Sequence, residues 1–190
     1  MTRVDAIVIG GSAGALDALA VILPALPAKL GVPIALVLHV PPHKRSLLVD
    51  VLGARCAMPV IEVDDKQPFD AGMLYVAPAN YHLLLERTRT FALSVDPPVR
   101  FSRPSIDVLF ESAADAYGDR LAAVLLSGAN DDGVIGLTKI RERGGVIAVQ
   151  DPQTATSSEM PEAALRLGLT EHVLSPAALG PFLHQLGGAA

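Results

Sequence analysis

Short apolar runs recur along the chain with helix-like segments between most of them, and this alternation constrains the fold more than any other feature. Residues 6–9, 33–38, 60–63, 73–76, 121–126 and 146–149 read as strands. Most are runs of Val, Ile, Leu and Ala with little polar alternation, as expected of strands covered on both faces. Residues 15–23, 46–52, 106–117, 133–143, 161–167 and 176–186 read as helices. Pro24, Gly118 and the Gly144-Gly145 pair supply stops, and Ser105 stands where an N-cap belongs. The alternation predicts an α/β fold: a doubly wound, mostly parallel sheet with helices on both faces. The stretch from 60 to 100 looks more antiparallel, with 83–86 and 90–95 forming a hairpin. No linker, repeat or low-complexity tract divides the chain, so one domain over residues 1–190 is expected.

Composition excludes several classes of protein. Hydrophobic residues make up 51% of the chain, enough for a substantial core. No apolar run approaches the ~20 residues that span a bilayer. The first run follows Asp5 and breaks at Gly10-Gly11-Ser12, so it reads as a core strand rather than a leader. No membrane insertion and a cytoplasmic location are therefore expected. The net charge of -5 argues against nucleic-acid binding. Cys56 is the single cysteine, so no internal disulfide exists, which suits a reducing compartment. With no histidine beside it, Cys56 reads as a small buried hydrophobe. The histidines lack carboxylate or cysteine partners at ligand spacing, so neither a metal nor a cofactor is expected. A dinucleotide loop fails twice, because Ser12 and Ala15 stand where Gly-x-Gly-x-x-Gly needs glycine.

In open α/β sheets, functional residues gather beyond the carboxyl ends of the strands. Three such ends carry chemistry here. The first is Gly10-Gly11-Ser12-Ala13-Gly14, a Gly-x-Ser-x-Gly turn that presents a hydroxyl at a helix start. The helix dipole favours developing negative charge at that place; the plainer alternative makes Ser12 only a helix cap. The second end is Leu38-His39-Val40-Pro41-Pro42, where His39 is either a general base or a structural histidine. The third is Ser127-Gly128-Ala129-Asn130-Asp131-Asp132-Gly133. Asp131 reads as a cap or turn residue and Asp132 as the carboxylate that orients a histidine, although position barely separates the two. Together they supply a nucleophile, a base and an acid on one rim. Their order, Ser–His–Asp, is not that of the α/β-hydrolases, which run Ser–Asp–His.

These segments resemble the catalytic domain of the CheB chemotaxis methylesterases. The resemblance includes Ile7 to Leu19, Leu38 to Pro42 and Leu126 to Gly133. It extends to Gly72 to Ala79 with His82, Arg103 to Phe110, and Gln150-Asp151 with Met160-Pro161. It implies a serine hydrolase of carboxylic esters that demethylates glutamyl methyl esters on the cytoplasmic helices of methyl-accepting chemoreceptors, and deamidates glutamines there. Ser12, His39 and Asp132 would be its catalytic triad, with the backbone N–H groups of Ala13 and Ala129 forming the oxyanion hole. The family commonly has Thr at Ala13 and Met at Ala129, so the pocket differs. Typical members also carry an N-terminal receiver domain. The first strand begins so near Met1 that a stand-alone domain is expected, with a response regulator acting in trans as a candidate partner. The alternatives are an ester or amide hydrolase with another substrate, such as another methylated protein, and a silent receptor-binding module. His43 is the rival base, read as an exposed loop residue, and Lys44 and Arg45 are candidates to meet acidic groups on a receptor. Arg103 and Asp107 are expected to pair across a helix start.

Overall fold

The computed structural model describes residues 3–39, 47–170 and 172–188. In chain order its elements are β1 (Ala6–Gly11), α1 (Ala15–Ile22), β2 (Ile34–Leu38), α2 (Leu48–Gly53), β3 (Val60–Glu62) and β4 (Leu74–Val76). There follow β5 (His82–Leu85), β6 (Phe91–Ser94), α3 (Ile106–Tyr117), β7 (Leu121–Leu125), α4 (Val134–Glu142), β8 (Val146–Gln150), α5 (Glu159–Arg166), β9 (His172–Leu174) and α6 (Pro176–Gly187). Seven strands form one sheet in the order β3-β4-β2-β1-β7-β8-β9, and every pairing in it is parallel. The antiparallel β5-β6 hairpin stands apart from it.

Alternation along β1 separates two cores. Ala6 and Val8 face one side, packed with Leu109 and Phe110 of α3, Leu137 of α4 and Ala164 of α5. Leu83 and Phe91 of the hairpin close the same side. Ile7 and Ile9 face the other, against Leu19 of α1, Leu52 of α2 and Leu183 of α6. Each Val, Leu, Ile or Phe side chain buried this way stabilises the fold by ~1.5–3 kcal/mol. With both faces covered, the strands carry no polar alternation, the pattern already visible in the sequence.

Two readings need correction. β3 and β4 are parallel neighbours in the main sheet, so the antiparallel character of the 60–100 stretch is confined to β5 and β6. The 63–73 connection crosses over without a helix, which hides the parallel relation from any strand–helix count. β9 was not foreseen, because its His172 and Val173 are exposed and its three residues carry no clear periodicity. α2 begins at Leu48 rather than 46, and residue 46 lies outside the described residues.

The strand order fixes where chemistry can gather. From β1 the chain first builds the β2-β4-β3 side, then returns to lay β7 on the other side of β1. The order reverses between β1 and β7, and a crevice opens beyond the carboxyl ends at such a reversal.

Candidate active site

Ser12 follows β1, His39 follows β2, and residues 127–132 follow β7, so three adjacent strands deliver the three expected groups to the crevice. Gly11 is the register partner of Leu38, which sets Ser12 and His39 side by side on strands ~4.8 Å apart. The His39 N–H donates to the Gly11 carbonyl at 3.3 Å, and the Ser12 N–H donates to the Ser127 carbonyl at 2.8 Å. Gly14 caps α1 at φ 81°, in the left-handed region that glycine enters freely. Ser12 has no such conformation, so the turn differs from the strained elbow of the α/β-hydrolases.

Asp132 is fully buried. Its carboxylate is received by the N-terminus of α3, an element from another part of the chain. Oδ2 accepts from the Ile106 N–H at 2.8 Å, and Oδ1 accepts from the Asp107 N–H at 3.0 Å and the Ser105 hydroxyl at 2.9 Å. Ser105 stands at the N-cap of α3 as expected, but its hydroxyl serves Asp132, and Asp132 satisfies the free helical N–H groups instead. Gly10 makes this approach feasible, since a Cβ there would lie 2.3 Å from Ile106 Cγ2. Burial raises the Asp132 pKa. The hydrogen bond from His39 and those from Ile106 and Asp107 outweigh it and hold the carboxyl below its usual range.

His39 Nε2 lies 2.8 Å from Asp132 Oδ2. An ionised carboxylate only accepts, so Nε2 carries the hydrogen and Nδ1 is left as the acceptor. The ring is mostly buried, with 12% of the side chain exposed. Among the described residues the Ser12 hydroxyl has no hydrogen-bond partner. The Ala13 and Ala129 N–H groups likewise find no acceptor among the described residues, and both residues are exposed at the crevice.

The supports of this arrangement went unread in the sequence. His82 is buried, accepts from the Ser105 N–H at Nδ1 (3.2 Å) and donates from Nε2 to the Pro97 carbonyl (3.2 Å). The Ser127 hydroxyl donates to the Ala13 carbonyl at 2.7 Å and accepts from the Ser157 N–H at 2.9 Å. The Gln150 side chain accepts from the Ser127 N–H at 2.9 Å. The signal available was that His82, Ser105 and Gln150 all sit in segments matched to the family, His82 and Gln150 with no role attached and Ser105 read only as a cap.

Other expectations fare unevenly. Asp131 is exposed and pairs with Arg100, while Gly133 caps α4, so Asp131 is no side-chain cap. Arg103 does not pair with Asp107. It donates to the Asn80 side chain and to the carbonyls of Val95 and Asp96. Asp107 accepts from the Gly136 N–H at 2.9 Å, and its second oxygen faces Arg100 Nε at 3.5 Å without a hydrogen bond. Burial, partly offset by the Gly136 N–H, and the neighbouring Asp132 charge push the Asp107 carboxyl up to about 6. Cys56 is half-buried against the α1–α2 core, and burial raises its thiol pKa. His43, Lys44, Arg45 and the Pro41-Pro42 pair lie outside the described residues.

Arg100 belongs to a tight turn. Val99 and Ser102 exchange backbone hydrogen bonds of 3.1 and 2.8 Å, and the two residues between them, Arg100 and Phe101, have φ of 47° and 63°. Positive φ at both central positions is what a type I′ turn requires, and Asn and Gly are its usual occupants.

An open parallel sheet that gathers a serine, a histidine and a buried aspartate beyond neighbouring strand ends defines an α/β protein of the hydrolase class. The model of the CheB methylesterase family matches residues 7–183. A protein of Leptospira interrogans is 47% identical over 171 residues, covering 90% of this chain and 89% of that one. The protein-glutamate methylesterase/protein-glutamine glutaminase of Trichodesmium erythraeum is 36% identical over 90% of this chain, which spans 50% of that relative's length. The crystal structure of the Thermotoga maritima CheB methylesterase catalytic domain superposes with a TM-score of 0.93 at 29% identity, covering 97% of this chain and all of that one. The chain belongs to the CheB methylesterase family.

Proposed function

We propose that this chain hydrolyses the γ-methyl esters of glutamate side chains in methyl-accepting chemoreceptors, and deamidates glutamine side chains by the same route. The observation that carries the reading is the His39–Asp132 pair, closed at 2.8 Å, with Ser12 on the adjoining strand end. Ser12 Oγ attacks the ester carbonyl while His39 Nδ1 takes the hydroxyl proton. Asp132 holds the ring through Nε2 and balances the imidazolium that forms. The carbonyl oxygen becomes an oxyanion that accepts from the Ala13 N–H at the start of α1 and the Ala129 N–H in the loop after β7. His39 returns the proton to the departing methoxide, releasing methanol, or to the departing amide nitrogen, releasing ammonia. Water, deprotonated by His39, then attacks the acyl-serine; the proton passes back to Ser12 and the glutamate carboxylate is freed.

The side chains of Ala13 and Ala129 are small, so they widen the crevice without changing its two N–H donors. Among the described residues no helix is long and apolar enough to cross a membrane, and a cytoplasmic location suits a substrate on receptor helices in that compartment. The test is methanol release from a methyl-labelled receptor fragment. Wild type should release methanol, and Ser12→Ala should lower the rate by about 10,000-fold or more. A wild-type protein that leaves the receptor esterified would remove the proposed substrate.

A further inference from the structure

Among the described residues, Arg100 and Phe101 are the one consecutive pair of non-glycine residues at positive φ. Both residues are held at positive φ, where a side chain is disfavoured. Arg100 has compensation, because its guanidinium reaches Asp107 and Asp131. Phe101 has none: its ring is fully exposed and makes no ring contact among the described residues. The turn is also fixed in position. Arg100 ties it to the loop that carries Asp132, and Arg103 ties its far side to Asn80 and to the carbonyls of Val95 and Asp96. Tyr81, next to Asn80, and Val95 are exposed apolar residues on the segments joined by that one guanidinium.

Backbone strain that nothing in the fold relieves points to use elsewhere. Resting on the chemoreceptor reading above, we infer that Phe101 is the contact that holds the protein substrate, with Tyr81 and Val95 on the segments Arg103 ties to the same turn, seating on the apolar stripe of the helix that carries the scissile glutamyl group. A small ester fills only the crevice, whereas a receptor helix must also lie across its rim. The rim segment in question is continuous with the site, because Asp131, bound by Arg100, directly precedes Asp132. A convex aromatic knob on a rigid turn fits the groove between side-chain ridges of a helix. Aromatic residues also give large contact area for little lost freedom.

The turn geometry supplies a variant that separates binding from folding. Phe101→Gly places at that position the residue a type I′ turn prefers, so its thermal midpoint should equal or exceed that of wild type. Phe101→Asn, which also tolerates left-handed φ, serves as the second variant. For each protein kcat/KM is measured on the methyl-labelled receptor fragment and on p-nitrophenyl acetate, and the ratio of the two is compared. In both variants the ratio should fall about tenfold, through KM on the receptor, as expected for truncating a central aromatic contact. A ratio within twofold of wild type would overturn the assignment of Phe101. A wild type that cleaves p-nitrophenyl acetate but not the receptor ester would instead overturn the substrate reading and this inference with it.

Discussion

At the scale of single residues, two neighbouring carboxylates divide one task. Asp132 has three donors from the start of α3 and one from His39, so it holds the charge. Asp107 is buried with one donor and an oxygen with no hydrogen bond, so it gives up its proton less readily than a free carboxyl. Its folded pKa of about 6 lies above the ordinary value of 3.8. The stability linked to Asp107 is therefore present below about pH 4 and is lost as pH rises through 6. Asp107→Asn keeps an acceptor for Gly136 and removes the titration. Denaturant unfolding at pH 4 and pH 7 should show the variant gaining on wild type by up to ~3 kcal/mol across that range. A difference that stays constant with pH would contradict the account. Ser105→Ala removes one of the four hydrogen bonds to Asp132. It should lower kcat by roughly tenfold, the worth of one charge-assisted hydrogen bond, with little change in KM. Asp132→Asn spoils the preferred tautomer of His39 and should lower kcat roughly 10,000-fold, in line with other Ser–His–Asp sites.

At the scale of elements, α3 is a socket for the buried acid as well as a packing helix. Its start must lie against β1, and Gly10 permits that approach. Gly10→Ala should push α3 outward, destabilising the protein by ~1–3 kcal/mol. It should also lower kcat in the fraction that remains folded, because the Ile106 N–H is drawn away from Asp132. A midpoint loss with unchanged kcat would separate the two roles. The sequence identified α3 and its first residues, but it assigned Ser105 to a local cap and Asp107 to Arg103. Local rules name the nearest partner, and the true partners lie 27 residues away for Ser105–Asp132 and 29 for Asp107–Gly136. The positions of Ser12, His39 and Asp132 could be expected from local pattern, since Ser12 and His39 directly follow apolar strands and Asp132 lies in the loop after a third. Position barely separated Asp131 from Asp132 and the family resemblance chose Asp132; burial divides them too, since one is exposed and the other has no exposed surface.

At the scale of the whole molecule, the alternation of strands and helices foretold the doubly wound sheet, since covering both faces demands apolar strands. The order of the strands was less accessible. The return of β7 to the free side of β1 depends on which edge remains open, a global property with no local signature. The faces also differ in duty. α3, α4 and α5 lie on the side that supports the acid, while α1, α2 and α6 fill the other core. Leu183 of α6 is fully buried in that second core. Leu183→Ala should reduce stability by ~2–5 kcal/mol and leave kcat per folded molecule nearly unchanged, as read from denaturant midpoints and active-site titration.

The separation of the base from its acid has a consequence during synthesis. His39 and Asp132 are 93 residues apart, and the donors that settle Asp132 belong to yet another segment. At ~5–20 residues per second, a ribosome releases the serine and histidine many seconds before the carboxylate exists. Until β7 has docked beside β1 the nascent chain carries a hydroxyl and an imidazole with nothing to set their protons, and so it cannot attack the esters of proteins around it. The enzyme is switched on by the completion of its own fold.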